Sequence, residues 1–327
     1  MDFLSADSLP WLRLSQQRLR EAWTARRLPH SLLLLSMAGL GAEQLAAWAA
    51  ALALCESDAR RPCASCASCV LLRADNHPDF KVVRLEEDAQ QIKVDQIRDL
   101  IESLALASYR GGYKVAVVEA AEALNANAAN AFLKTLEEPT DKTLLIMIAK
   151  PSHRLPATIA SRCLKLHVSA PGKPTALAWL ESRRPGAASW DAALALAGGA
   201  PLAALEIDAA GIAALEEEMQ GSMRQLSAGT VDVTLMAERW IRSDVSLRLM
   251  WLENWITHRV HAGMARTTSM QSAEPVRLPA ALLKPKIQSL FALLDAAREL
   301  RRLAPSGLNQ QLALEALLLG GRAALAK

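Results

Sequence analysis

Four cysteines lie close together in the chain, at a spacing that suits metal binding. Cys63, Cys66 and Cys69 form a CxxCxxC run, and Cys55 lies just upstream at the end of an apolar helical segment. Two-residue spacers allow a tight turn to bring several sulfurs to one point, and four thiolates at about 2.3 Å complete a tetrahedral zinc site with no open position for water. The spacing therefore predicts a structural Zn²⁺ ion held by Cys55, Cys63, Cys66 and Cys69.

Other interpretations of these cysteines stay open at this point. They could be unliganded thiols in a loop, or ligands of an iron–sulfur cluster, although the CP motif common in such clusters is absent from this run. His77 could replace Cys55 as a ligand, but its position beside Pro78 favours a loop residue.

A glycine turn joins an apolar strand to an Ala/Leu helix, which is the layout of a phosphate-binding loop. The segment SLLLLSMAGLGAEQLAAWAAALAL runs from Ser31 to Leu54 and carries Gly39 and Gly41 in its turn. In a working loop the glycine is followed by Lys, which reaches the outer phosphates, and by Ser or Thr, which holds Mg²⁺. Ala42 and Glu43 occupy those positions instead. We therefore predict a degenerate loop that does not bind ATP productively.

A second nucleotide-binding element is expected at the end of a later strand, where an Asp places Mg²⁺ and a Glu orients water. The candidate is KVAVVEAAEAL, Lys114 to Leu124, with Glu119 at the metal position and Ala120 at the catalytic position. Both nucleotide elements thus lack their reactive residues, which favours a retained scaffold over an active ATPase.

The elements that position these residues alternate between strands and helices. Because parallel sheets arise from such alternation and bind ligands at the carboxyl ends of their strands, we expect an α/β domain with its site at that edge. The predicted strands are the apolar run before the glycine turn, Phe80 to Leu85, Lys114 to Val118, and the run LLIMIA; the main helices are Ser15 to Arg27, IKVDQIRDLIESLALAS and NANAANAFLKTLEEPT.

The composition changes after Val168, where the linker SAPGKP leads into an almost entirely helical sequence. We expect the fold class α/β plus all-α, with an α/β domain at 1–168 that includes the cysteine module at 55–69. A small helical domain at 169–208 and a larger helical domain at 209–327 follow. Trp240, Trp251 and Trp255 fit a helix core better than an interface stripe.

Charge and hydropathy exclude several classes of protein. The 327 residues are 51% hydrophobic with a formal net charge of +3, which excludes a disordered chain and a dedicated basic nucleic-acid-binding domain. Any contact with nucleic acid would have to be local or shared with partners. The first residues lack a secretory signal pattern, so a cytoplasmic location is expected.

The segment from Asn125 to Cys163 resembles the clamp-loader branch of the AAA+ ATPases, in which a helix ending in LEEP leads to a strand and an SRC motif. The degenerate loop, the CxxCxxC insert and the HPD segment from His77 to Asp79 are similar, more narrowly, to the family of delta-prime subunits of bacterial DNA polymerase III. The resemblance covers the α/β domain with specific motifs. Over the last 120 or so residues it rests on length and helical content.

The resemblance implies a RecA-like AAA+ domain, a helical lid and a helical oligomerisation collar. It also implies a subunit of the complex that loads the sliding clamp onto primed DNA, with gamma/tau-type ATPase subunits and a delta subunit as partners. Such a subunit has no ATPase or polymerase activity of its own. Within the SRC motif, Arg162 matches the arginine finger that acts on a neighbour's ATP; alone, this arginine would suggest a surface ion pair.

Further departures from an active family member agree with this role. Ala149 and Lys150 stand where an active ATPase has a polar residue that senses phosphate, and Leu202 stands where a second sensing arginine is found. Two alternatives remain: an active gamma/tau-type ATPase, which would need the missing Lys and Ser/Thr, and a zinc-bearing DNA-binding adaptor. The adaptor predicts tight, strongly salt-dependent DNA binding by the isolated chain.

Overall fold

A computed structural model describes residues 3–86, 89–151, 155–186, 190–207, 209–242, 244–268, 285–303 and 309–325. The chain divides into two compact units. The first comprises residues 1–176 with 200–203, and the second comprises residues 177–199 with 204–327. The predicted three-domain division, with boundaries near 168 and 208, stays a prediction.

The first unit is built around a parallel sheet of five strands in the order β2-β3-β4-β1-β5. The central strands β3, β4 and β1 are buried along almost their whole length, because elements cover both faces, and their sequences are continuous apolar runs. The edge strand β5 exposes most of its residues. The strands are β1 (Ser31–Ser36), β2 (Phe80–Val83), β3 (Lys114–Val118), β4 (Thr143–Ala149) and β5 (Leu164–Val168).

Helices cover the sheet of the first unit. Helices α4 and α5 contribute Ile97, Leu100 and Phe132 to a core that includes alternate strand residues such as Leu33. Helix α5 begins where the Asn125 side chain accepts the Ala128 N–H at 2.8 Å, and it ends just before Pro139. The helices are α1 (Arg13–Thr24), α2 (Ala42–Leu54), α3 (Ala67–Arg73), α4 (Val94–Ala105), α5 (Ala126–Glu137) and α6 (Ala157–Ala160).

The remaining helices belong wholly or partly to the second unit. Trp240 is fully buried and Trp251 is 7% exposed, which confirms the core prediction for these two residues; Trp255 is only half-buried. The polar segment RTTSMQSAEPVRLP at 266–279 predicts a loop within the last helical domain, but this is wrong for its first residues, because α12 continues to Thr268; residues 269–279 lie outside the described ranges. The helices are α7 (Lys173–Arg183), α8 (Trp190–Leu196), α9 (Pro201–Glu206), α10 (Ala209–Ala228), α11 (Val233–Ile241), α12 (Val245–Thr268), α13 (Pro285–Leu303) and α14 (Gln310–Leu325).

Hydrogen bonds from one buried lysine connect the carboxyl end of α4 to the residues just before β4. Lys114, the first residue of β3, is only 7% exposed. Its Nζ donates hydrogen bonds to the carbonyl oxygens of Leu104 and Leu106, the latter at 2.8 Å, and to Thr140 Oγ1 at 2.9 Å. These three acceptors satisfy all the protons of the ammonium group.

Replacing Lys114 by Met is expected to lower the free energy of unfolding by about 1–3 kcal/mol, because three buried hydrogen bonds are lost, although Thr140 still donates to the Leu104 carbonyl. Urea denaturation measures this difference. The control is Lys81→Met at an exposed position of β2, which should change stability by less than about 0.5 kcal/mol. Equal stability of the two variants would show that the Lys114 hydrogen bonds contribute little.

Candidate functional site

The sheet brings the predicted nucleotide-binding elements to one edge. Strands β3, β4 and β1 are adjacent and parallel, so their carboxyl ends lie side by side. Residues 37–41 follow β1, Glu119 follows β3, and Lys150 follows β4. The positions that would bind and sense ATP in an active relative therefore lie together, as the sequence predicted.

The glycine loop is covered by residues of its own unit. Gly39 and Gly41 have φ angles of +76° and +89°, a left-handed conformation that favours glycine. A Cβ added at Gly39 would lie 2.6 Å from the Cβ of Ala203, and the Leu202 N–H donates to the Gly39 oxygen at 3.1 Å. A Cβ at Gly41 would lie 2.7 Å from Leu9 Cδ1. The two glycines thus have backbone angles that a phosphate-binding loop can use, but side chains of the same unit pack closely against the loop.

The other residues at this edge are engaged in ion pairs. Glu119, at the metal position, accepts a hydrogen bond from Arg84 Nε at 3.0 Å. The next residue, Ala120, has a φ of +54° and leads into a 3-10 helix. Lys150 lies 3.9 Å from the Glu122 carboxylate and donates its N–H to it at 3.4 Å. The Glu119 carboxylate is thus paired with an arginine of the same chain.

The four predicted cysteine ligands converge, with all four sulfurs within 4.8 Å of one another. Cys55 directly follows α2, Cys66 caps the start of α3, and Cys69 lies within α3. The Cys63–Cys69 and Cys55–Cys66 sulfur distances are 4.0 and 3.9 Å. A regular tetrahedron with metal–sulfur bonds of about 2.3 Å has edges of about 3.8 Å. The cluster therefore has the size that holds one tetrahedral metal ion.

Backbone N–H groups point at these sulfurs. Cys63 Sγ accepts the Cys66 N–H at 3.3 Å, and Cys66 Sγ accepts the Cys69 N–H at 3.4 Å. Hydrogen bonds from Ser65 and Cys66 hold the pKa of Cys63 at about 6, whereas burial raises the pKa values of Cys55 and Cys69. Because the metal ligand is the thiolate, metal binding here would have to displace the protons of the two buried thiols.

His77 lies outside the sulfur cluster and supports it through a hydrogen-bond chain. It is 5% exposed, and its Nδ1 accepts the Asp79 N–H at 3.1 Å, so the network assigns the proton to Nε2. Nε2 lies 3.0 Å from Ser68 Oγ, which donates to Glu56 at 2.8 Å. Burial lowers the pKa of His77, while Ser68 and Arg110 lower the pKa of Glu56.

The same network ties the insert to the loop before β3. Arg110 contacts the Glu56 carboxylate through Nε at 2.7 Å and Nη2 at 2.6 Å. The Asp79 carboxylate accepts the N–H groups of Tyr109 and Arg110 at 2.6 and 3.0 Å. Glu56, Ser68 and Arg110 were not predicted, because they belong to no recognisable sequence motif. The HPD segment indicates His77 and Asp79 but not their hydrogen-bond partners.

Arg162 lies between α6 and β5 and is held by a carboxylate. Its Nε donates to Glu137 Oε1 at 2.7 Å, its Nη2 contacts the same oxygen, and its Nη1 donates to the Thr158 carbonyl at 2.8 Å. The Arg162 and Glu137 side chains are 34% and 49% exposed. The ion pair that a lone arginine suggests is thus present, and it leaves the guanidinium partly open to solvent.

The strand order and the glycine loop that opens α2 define this chain as an AAA+ type α/β module joined to a helical region. Residues 13–171 match the family model described as DNA polymerase III, delta subunit. The DNA polymerase III subunit delta' of Pseudomonas aeruginosa is 37% identical over 76% of both chains. The Escherichia coli subunit delta' is 31% identical over 95% of this chain and 94% of its own.

The chain belongs to the family of DNA polymerase III delta-prime subunits. The tau subunit of Escherichia coli is also similar, at 31% identity over 44% of this chain and 22% of its own length. In the described part of the chain, no helix is long and apolar enough to cross a membrane.

Restoring the two missing loop side chains is expected not to restore ATP binding. In the double variant Ala42→Lys, Glu43→Thr, Ala203 still packs on Gly39 and Arg84 still neutralises Glu119. Titration with a fluorescent ATP analogue and a phosphate-release assay measure binding and hydrolysis, with thermal unfolding as the check of the fold. Saturable binding by this variant would show that those two side chains alone account for the loss.

Proposed function

We propose that this chain is a non-hydrolysing clamp-loader subunit that helps place the sliding clamp on primed DNA. Membership of the delta-prime family supports this proposal. Its partners would be gamma/tau-type ATPase subunits and a delta subunit, and it would meet the clamp and the primer–template DNA through the complex. The segment 209–327 would form the oligomerisation collar, and 169–208 the lid.

The proposal assigns Arg162 to the ATP site of a neighbouring subunit. The observation that carries it is the position of Arg162 at the amino end of β5, whose first residue, Leu164, pairs with Leu32 near the start of β1. The glycine loop begins after Ser36, at the other end of β1. At about 3.3 Å per residue, the length of the strand separates the two by roughly 15 Å. Arg162 therefore lies at the edge of the sheet opposite the glycine loop.

The chemistry of such an arginine is electrostatic. A guanidinium is permanently charged and presents a planar fork of donors that matches phosphate oxygens. Placed across an interface, it would stabilise the charge that develops on the transferred phosphoryl group, an effect of about 10³ to 10⁵ in rate in other systems. Arg162 needs no nucleotide in its own chain for this role.

Glu137 supports the role by orienting Arg162. The pair is exposed, so its contribution to stability is small, about 0–1 kcal/mol. Its effect on geometry is larger, because contacts to Glu137 and the Thr158 carbonyl restrict all three guanidinium nitrogens. We expect Glu137 to be a positioning residue, which aims Arg162 without contacting the nucleotide.

Replacing Arg162 by Ala is expected to lower the clamp- and DNA-stimulated ATPase of a reconstituted complex, because one ATP site loses its finger. Glu137→Ala should lower the rate less, and it should have no further effect when combined with Arg162→Ala. Glu138→Ala, at the exposed neighbouring carboxylate, is the matched control. Steady-state phosphate release gives the rates, and sizing verifies assembly.

An unchanged ATPase in an assembled Arg162→Ala complex would contradict the trans-acting role. Additive effects of Arg162→Ala and Glu137→Ala would contradict the positioning role of Glu137 alone, because independent contributions need no contact between the two side chains.

The proposal also makes the ion in the cysteine cluster a structural Zn²⁺. Four thiolates are soft ligands in a closed tetrahedral set, which suits zinc and leaves no open position for catalysis. The ion would link the end of α2, at Cys55, to α3, at Cys66 and Cys69.

Replacing Cys66 by Ser is expected to abolish stoichiometric zinc and to lower the free energy of unfolding by about 2 kcal/mol or more. The matched control is Cys163→Ser, because Cys163 lies outside the cluster and its Sγ donates to the Ile159 carbonyl at 3.1 Å, as a hydroxyl also can. Elemental analysis of protein purified under reducing conditions gives the metal content. Equal zinc in both variants, or none in the parent protein, would contradict the assignment.

A further inference from the structure

A basic groove lies between α1 and the cysteine insert, and its lining residues include neither the glycine loop nor Arg162. It has a volume of about 970 Å³. One wall carries Arg20, Trp23 and Arg26 from α1 and the turn that follows it, and the other carries Arg60 and Arg61 from the insert. Nothing in the function proposed above uses these side chains.

The positive charge of the groove is largely uncompensated. Four arginines and one acid, Asp58, line it, which gives a net charge of +3, as large as that of the whole chain. The Asp58 side chain is fully exposed and lies 3.5 Å from Arg61, so water screens this pair strongly. Within the described residues, Arg26 and Arg60 have no carboxylate within 4.0 Å. The groove therefore carries a local excess of positive charge.

Aromatic rings lie against two of these arginines. The Arg20 guanidinium lies 5.2 Å from the centre of the Trp48 ring. The Arg61 guanidinium lies 4.9 Å from the centre of the Trp23 ring, and Trp23 packs against Tyr113 at 5.1 Å. A cation stacked on an aromatic ring keeps its charge and its in-plane N–H donors available. Because Arg61 and Tyr113 already contact Trp23, the groove is better suited to binding phosphates than to stacking bases.

We propose that this groove binds the phosphodiester backbone of single-stranded DNA without sequence preference. Four guanidinium groups in one groove require several anionic charges in succession, which every nucleic-acid strand carries and few peptides do. Cations on two facing walls suit one strand rather than the broad surface of a duplex. An acidic polypeptide is the competing occupant, and the experiment below separates the two.

The expected binding is weak and governed by salt. Each phosphate contact with single-stranded DNA adds about −0.7 to the slope of log affinity against log salt concentration. Four contacts give a slope of about −3, and two give about −1.4. Loss of two contacts therefore lowers affinity about 25-fold at 0.1 M salt. This differs from the tight binding expected of a dedicated DNA-binding adaptor, and it is independent of Arg162.

The test is fluorescence anisotropy of a labelled oligothymidylate titrated with the full chain over a range of salt concentrations. The double variant Arg60→Gln, Arg61→Gln should lose about 25-fold in affinity and about half of the salt slope. The variant Arg20→Gln, Arg26→Gln on the opposite wall should behave similarly. The matched control is Arg98→Gln, Arg242→Gln, which removes the same charge from two exposed arginines outside the groove. Metal content and thermal unfolding verify that each variant is folded.

An affinity loss in the groove variants that the control does not share supports the proposal. Equal losses in all variants would overturn it, because binding would then follow net charge alone. Equal or tighter binding of a duplex of the same length would overturn the single-strand assignment. Displacement of the oligonucleotide by poly-glutamate at equal charge concentration would favour an acidic polypeptide and contradict the proposal. No measurable binding at low salt would also contradict it.

Discussion

The direction of the parallel strands is the constraint on which the candidate sites depend. Because all five strands run the same way, every loop that follows a strand lies at one edge, and every segment that precedes a strand lies at the other. The glycine loop and Glu119 fall at the first edge, while Arg162 and Glu137 precede β5 and β4 at the second. This topology therefore places the glycine loop and Arg162 at opposite edges of the sheet.

In the glycine loop, the backbone conformation has a use in packing that does not depend on nucleotide binding. A nucleotide-binding loop needs left-handed glycines so that its backbone can approach phosphate, and this chain needs them for another reason. Gly39 and Gly41 allow Ala203 and Leu9 to approach the loop to within distances that a Cβ would prevent. The loop is therefore required by packing even though the side chains at positions 42 and 43 contribute neither a cation nor a hydroxyl group.

The sequence predicted the parts of the fold that have strong local signals. Continuous apolar runs identified the central strands, and CxxCxxC spacing with Cys55 identified the cluster. Strand β5 escaped prediction because LKLHV is short, polar at two positions and mostly exposed at a sheet edge. The helix α3 begins inside the cysteine run, where Ser and Cys obscure a helical pattern. The Arg162–Glu137 contact joins residues 25 apart in sequence, so no local pattern reveals it.

The cysteine insert also determines where the basic groove forms. Arg60 and Arg61 lie in the segment between Cys55 and Cys63, so an ion bound by both cysteines would fix the two ends of that segment. Glu56 and Ser68, which adjoin Cys55 and Cys69 in the sequence, are joined by a hydrogen bond. The Glu56 carboxylate also accepts a hydrogen bond from Arg110. The insert is thus tied to the sheet beside the sulfur cluster. A structural ion would in this way fix the distance between Arg60 and Arg61 on one wall of the groove and the arginines of the other wall.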